Sequence, residues 1–143
     1  MALKAVNEGE LAMLERMIGI DTWGAGDTLR LWLYKEIGDS DATPKEGDSF
    51  ANYVLTFGDS EKILLGDTEG WTLATGGGDT VSAVFTQQTF SFDSADSVAG
   101  YVITTLNRQG DTIIFVAEEF GNGPYVIPGG GGTVKVTPRI ELE

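Results

Sequence analysis

Residues 98–120 read VAGYVITTLNRQGDTIIFVAEEF, and this stretch decides the fold. Its two halves, 98–106 and 112–120, are rich in β-branched and aromatic residues, which favour strands. Between them, residues 107–110 read NRQG and end on a glycine, as hairpin turns commonly do. The stretch therefore predicts two antiparallel strands joined by a tight turn.

Further strand-like segments lie on both sides of this hairpin, separated by glycine- and aspartate-rich turns. Residues 38–49 (GDSDATPKEGDS) are polar and acidic and predict a loop, and residues 52–57 fit either a strand or a short helix. Strands are predicted at 28–35, 62–65, 70–75, 81–92, 125–127 and 133–142. Strands at this spacing, about 8–12 residues apart and with no β-α-β alternation, indicate an all-β sandwich or barrel.

The opening of the chain has a different period. Asn7 followed by Glu10 fits a capping box, and the helical spacing of Leu11, Leu14 and Ile18 predicts a short amphipathic helix over residues 8–18. We expect an N-terminal arm and helix at 1–27 and a β-sandwich domain at 28–143. The predicted fold is an all-β, jelly-roll-like antiparallel sandwich with a short N-terminal α-helix, and an immunoglobulin-like sandwich is the alternative.

The composition excludes several kinds of chemistry. The 143 residues include no His and no Cys, so triads with histidine, thiolate nucleophiles and Cys- or His-ligated metals are absent. Nine Lys and Arg against 22 Asp and Glu give a net charge of −13, which disfavours nucleic acid and anionic membranes as partners. Residues 1–7 lack the apolar core of a secretory signal, and no apolar run is long enough to span a bilayer.

Two groups of carboxylates are candidates for chemistry. Acidic side chains cluster in two loops and could bind Ca²⁺, although their spacing fits no EF-hand: Asp39, Asp41, Glu46 and Asp48 in the first, Asp93 and Asp96 in the second. Glu118 and Glu119 are adjacent on a predicted strand, so their side chains should point to opposite faces and cannot flank one glycosidic bond. Solvated carboxylates explain both groups better, and we expect no metal, no cofactor and no catalytic residue.

Glycine-rich loops and tryptophans are the remaining candidates. The runs at 76–78 and 129–132 lack the lysine and the following helix of a phosphate-binding loop, so turns explain them better. Trp32 and Trp71 lie in apolar strands, which favours a place in the core over a sugar-stacking platform. Trp23 lies in the linker 21–27 and is the best candidate for an exposed anchor in a protein contact.

Several phrases in the chain carry a resemblance to a known class of proteins. They are LRLWLYK at 29–35, FTQQTFSF at 85–92, VAGYVI at 98–103, FVAEEF at 115–120, GPYVI at 123–127 and GTVKVTP at 132–138. Together with the short opening helix, this layout resembles the capsid cement (decoration) proteins of tailed bacteriophages, especially those of aquatic and cyanobacterial hosts. No catalytic signature belongs to that class.

The resemblance implies a non-enzymatic virion protein, assembled in the host cytoplasm, that binds the major capsid protein on the outside of the head as a homotrimer and stabilises the shell. The contact elements we expect are residues 1–6, the helix face, the linker 21–27 and exposed strand edges such as 134–142. The docking surface is expected on the less acidic strands and the N-terminal helix, where Lys4, Arg16 and Arg30 lie. The alternatives are a tail, fibre or baseplate component, or a carbohydrate-binding module.

Overall fold

A computed structural model describes residues 4–5, 9, 29–38, 41–56, 61–64, 70–75 and 81–142. Almost all the regular structure in them is antiparallel β-sheet, which confirms the predicted all-β class. The strands are β1 Lys4–Ala5, β2 Leu29–Ile37, β3 Tyr53–Leu55, β4 Lys62–Leu64, β5 Trp71–Thr75, β6 Val81–Phe85, β7 Gln88–Phe92, β8 Asp96–Val98, β9 Gly100–Leu106, β10 Thr112–Glu119, β11 Tyr125–Ile127, β12 Gly132–Val136 and β13 Arg139–Leu142.

The second half of the chain forms one nested antiparallel ladder around the predicted hairpin. β9 pairs with β10, β8 with β11, β7 with β12 and β6 with β13, so each outer pair encloses the one inside it. Residues 107–110 form the predicted turn, which closes the ladder. In it the Asn107 side chain accepts hydrogen bonds from the backbone N–H groups of Gln109 (3.0 Å) and Asp111 (2.8 Å). Gly110 supplies the positive φ of 89° that this turn requires.

The ladder is divided into more strands than the sequence predicts. The strand predicted over 81–92 is two strands, β6 and β7, and the strand predicted over 133–142 is likewise two, β12 and β13. Pro138 lies at the second break, where its missing N–H removes a ladder donor. The turn before β12 was predicted, and in it Gly131 has a φ of 85° and lies against the backbone of Phe92 and Asp93, leaving no room for a Cβ.

The remaining strands extend the innermost hairpin into a six-stranded sheet. Its order is β1-β10-β9-β2-β3, and β4 also pairs with β2, along the half of β2 that β3 does not cover. For residues 52–57 the sequence allowed either a strand or a short helix. The structure has both in this region, because a 3-10 helix, Phe50–Asn52, runs directly into β3. β5 pairs with β6 at the outer end of the ladder.

Both faces of the six-stranded sheet are buried, each under a different part of the chain. On β2, the side chains of Leu31 and Leu33 pack with the ladder strands β7, β8, β11 and β12, which form the larger core. Trp32 and Tyr34 point the other way, as alternation requires, and pack with residues 42–55 in a second core. A bulge at Phe115 turns both Phe115 and Val116 toward the larger core.

The predicted helix over 8–18 lies outside the described residues except for Gly9, as does most of the arm 1–27. A Cβ on Gly9 would lie 2.8 Å from the carbonyl oxygen of Ile114, so this position comes very close to β10. Lys4 and Ala5 pair with Ala117 and Val116 and add β1 to the sheet edge. Among the described residues, no helix has the length and apolar character needed to cross a bilayer.

Candidate functional site

The first acidic loop uses its carboxylates to hold its own shape. Asp41 forms an ion pair with Lys45 (Oδ2–Nζ 2.5 Å) and accepts the backbone N–H of Thr43 at 3.0 Å. The hydrogen bond from Lys45, together with that from Thr43, lowers the pKa of Asp41 to about 2. Asp48 accepts the backbone N–H of Lys45 at 2.8 Å and the Tyr53 hydroxyl at 3.4 Å. These two Ca²⁺ candidates are therefore already engaged in holding the turn.

Those of the other proposed calcium ligands that the structure describes are not brought together as a metal site. Asp39 lies outside the described residues, and Glu46 and Asp93 are exposed. Asp96 forms an ion pair with Lys35 at 3.6 Å and accepts the backbone N–H of Ser97 at 2.8 Å. Within the described ranges, no three carboxylates are grouped as metal ligands would be.

Glu118 and Glu119 point to opposite faces of the sheet, as predicted. Glu118 accepts a hydrogen bond from the Tyr101 hydroxyl at 2.7 Å on the side of the larger core. Glu119 accepts one from the Thr43 hydroxyl at 3.0 Å on the side of residues 42–55. The two carboxylates therefore cannot act on one glycosidic bond.

The tryptophans that the structure describes pack against the cores, as expected. The Trp32 ring lies 5.4 Å from that of Phe50, and its Nε1–H donates to the Thr104 hydroxyl at 2.9 Å. The Trp71 ring packs edge-on to Phe85 at 5.0 Å. Trp23 and the glycine run at 76–78 lie outside the described residues, whereas residues 129–132 form a turn that leads into a strand, β12.

The expected docking elements are only partly described. Arg30 forms an ion pair at 2.8 Å with Glu61, which lies just before β4, so its charge is matched by the neighbouring strand segment. Lys4 lies in β1, and Arg16 lies outside the described residues. The stretch 134–142 pairs with β7 and β6 along one edge. In the part of the chain that the structure describes, no strand pairs with its other edge, so it could receive a strand from a neighbour.

A cleft of about 580 Å³ opens beside this edge, between the end of β10, β11 and β12. Its volume lies within the range of about 300–1,000 Å³ that is usual for ligand sites. Along β12 and the residue after it, the lining includes every residue from Thr133 to Thr137. Side chains alternate along a strand, so an unbroken run means that the backbone edge also borders the cleft. The remaining lining residues are Tyr101, Glu118, Phe120, Tyr125, Val126 and Ile127.

Three aromatic rings follow one another along one side of the cleft. The Tyr101 ring lies 6.1 Å from Phe120, which lies 5.4 Å from Tyr125. Tyr101 is buried, but 43% of Tyr125 and 78% of its neighbour Val126 are exposed. Because side chains alternate along a strand, Tyr125 and Val126 point to opposite faces of β11, and each leaves apolar surface that another molecule could cover.

The polar centre of the cleft is the pair formed by Tyr101 and Glu118. The Tyr101 hydroxyl donates to Glu118 Oε2 at 2.7 Å and accepts the backbone N–H of Arg139 at 3.4 Å. Burial, followed by the hydrogen bond to Glu118, raises the pKa of Tyr101 far above its usual range. The phenol therefore stays a hydrogen-bond donor at neutral pH and holds the carboxylate in place.

This cleft was not predicted from the sequence, in which Glu118 was a candidate only as half of a catalytic pair. Its walls come from β9, β10, β11 and β12, which meet only through the folding of the ladder. The available signal was the apolar triplet 125–127 between two turns, which is too short to bury both faces.

Comparison of the chain with protein-family models, with curated proteins and with solved structures gave no match in any of the three.

Proposed function

We propose that this protein is a virion structural protein that binds the major capsid protein on the outside of a phage head and stabilises the shell, without catalysis. The observation that carries this proposal is the exposed apolar strand β11 beside the open edge of β12, on a chain of net charge −13. A strongly acidic surface keeps copies of the protein apart in solution. Exposed apolar side chains on such a surface are suited to contact with another protein.

The architecture supports the same proposal. Four strand pairs nested from β9–β10 out to β6–β13 are what a two-stranded ribbon folded into a jelly roll would give, which supports that fold. We propose a jelly-roll domain with a short helix over residues 8–18. The sequence resemblance to capsid cement proteins agrees with that architecture.

The physical basis of a cement role is avidity. A homotrimer that touches several capsid subunits makes each contact after the first intramolecular, so modest individual contacts suffice for stable attachment. The open edge of β12 and the strand β11 would supply such a contact. A protein on the capsid exterior needs no affinity for DNA, and this fits a chain with 22 acidic and only 9 basic residues.

Binding to heads that lack the protein tests the proposal. Expanded heads of the encoding phage, prepared without the protein, are mixed with the purified chain, pelleted and heated. We expect saturable binding and a higher temperature of head disruption. Labelled protein seen by electron microscopy only on tails, or no binding to heads at all, would overturn the proposal.

A further inference from the structure

We propose that the cleft between β10, β11 and β12 receives an arginine side chain of the partner protein, with the guanidinium bound by Glu118 and stacked on the exposed ring of Tyr125. This inference rests on the proposed function, because the shell protein is the partner that would supply the arginine. It adds the chemistry of one contact to that function.

The carboxylate of Glu118 is prepared for a cation. Tyr101 is almost fully buried and holds one carboxylate oxygen, Oε2, at 2.7 Å. Among the described residues, nothing donates a hydrogen bond to the second oxygen, Oε1. A carboxylate with one oxygen fixed and the other open can accept a charge-assisted hydrogen bond without reorganising.

The aromatic rings beside this carboxylate favour arginine in particular. Tyr125 is partly exposed and lies 5.4 Å from Phe120 at an angle of 54°, so the two rings offer faces in different directions. A planar guanidinium stacks on aromatic faces and donates hydrogen bonds from its edge at the same time, whereas an ammonium binds as a point charge. The combination of rings and a fixed carboxylate is suited to the planar cation.

Charge complementarity points the same way. The chain carries −13 at pH 7, so a cationic side chain is attracted to it from a distance. Of the described residues that line the cleft, Glu118 is the one acid and Lys135 the one base. Among the described residues, no ion pair within 4.0 Å joins Lys135 to Glu118. Lys135 therefore leaves the carboxylate available while weakening the local attraction for a cation.

The ligand chemistry can be tested without the shell. The ¹⁵N-labelled protein is titrated with Nα-acetyl-arginine amide and, as the uncharged match, Nα-acetyl-citrulline amide. We expect amide shifts confined to Phe120, Tyr125 and residues 133–137 with arginine, and about tenfold weaker binding of citrulline. Equal binding of the two probes, no localised shifts, or the same shifts with maltotriose would each overturn the proposal.

Adjacent glutamates give a matched pair of variants. Glu118→Gln and Glu119→Gln each remove one negative charge, but only the first lies in the cleft. We expect Glu118→Gln to weaken arginine binding about tenfold and Glu119→Gln to leave it unchanged. Tyr125→Ala, at an exposed position, should weaken it several-fold without unfolding the protein, and Lys135→Gln should strengthen it. Equal effects of the two glutamate variants contradict the assignment.

The same variants separate this inference from the proposed function. If the wild type binds heads and Glu118→Gln binds them equally well, the cleft is not the contact, although the protein still binds the shell. If arginine amide binds in the cleft but the wild type does not bind heads, the site stands and the capsid role fails.

Discussion

Strands β10 and β11 follow one another in the chain and are both apolar, yet one is buried and the other is largely exposed. In β10, residues from Ile113 to Ala117 are all buried, and Ile114 has no exposed surface. In β11, Tyr125 and Val126 are exposed and only Ile127 is buried. β10 has a strand on each side, β9 and β1, and a core on each face, whereas in the described residues β11 pairs only with β8.

The difference teaches that apolar composition alone does not decide burial. β10 is covered because the ladder lies on one face of its sheet and residues 42–55 lie on the other. β11 belongs to a two-stranded part of the ladder, and Val126 stays exposed there. An apolar strand that the domain's own packing leaves uncovered is a candidate for covering by a partner.

The largest expected effect comes from truncating one residue in each strand. Ile114→Ala should lower the free energy of unfolding by about 2–5 kcal/mol, because it leaves a cavity in a closely packed core. Val126→Ala should change it by no more than about 0.5 kcal/mol, because the side chain is already in water. Urea denaturation of both variants checks this, and comparable losses would contradict the contrast between the strands.

Two glycines test the same contrast in packing. One lies beside the end of β10, and the other lies between β10 and β11. Gly100, in β9, pairs with Glu119, and a Cβ there would lie 2.6 Å from the Tyr34 hydroxyl, so Gly100→Ala should cost about 1–3 kcal/mol. Gly121, just beyond β10, would have nothing within 4 Å of an added Cβ. Gly121→Ala should therefore be neutral within about 0.5 kcal/mol. Thermal unfolding of the two variants measures the difference, and equal melting temperatures would argue against the close packing at Gly100.

Alkaline pH should lower the free energy of unfolding, because three tyrosine hydroxyls are buried. Burial raises the pKa of Tyr34, Tyr53 and Tyr101 above 10, and nearby carboxylates add to the shift. The unfolded chain loses these protons near pH 10 and the folded chain does not, so stability is complete below pH 10 and falls above it. Each tyrosine contributes a slope of about 1.4 kcal/mol per pH unit. Tyr53→Phe should make the measured slope shallower, and an unchanged slope would count against burial of this hydroxyl.

The smallest effect is expected in the exposed acidic loop. Asp41 has its pKa lowered to about 2 by Lys45 and Thr43, so its contribution is present above about pH 4 and is lost as the pH falls toward 2. The pair is solvent-exposed, and such pairs contribute little. Asp41→Asn should leave the melting temperature at pH 7 within error of the wild type. A clear loss would mean that this loop supports the second core more strongly than its exposure indicates.

Local signals predicted much of this fold. The turn at 107–110 is set by Asn107 and Gly110, whose roles depend on their immediate neighbours, and the opposite directions of Glu118 and Glu119 follow from strand alternation. The break at 86–87 between β6 and β7 was not predicted, because it depends on how the ladder bends over the sheet.

The cleft could not be predicted from local sequence either, because it also depends on how the strands pack. Tyr101 and Glu118 face each other in the ladder, but Lys135 and Tyr125 reach them only when β11 and β12 fold over the end of β10. No spacing in the sequence encodes that approach. The exposed pair Tyr125 and Val126 could have been suspected only from the shortness of their strand.

The most direct test of the capsid role is electron cryo-microscopy of expanded heads decorated with the protein. We predict density on the outside of the shell, with β11 and the cleft at Glu118 against the capsid protein and the acidic loop 41–49 facing solvent. Density in which Tyr125 and Val126 face solvent, or heads that carry none of the protein, would contradict this role.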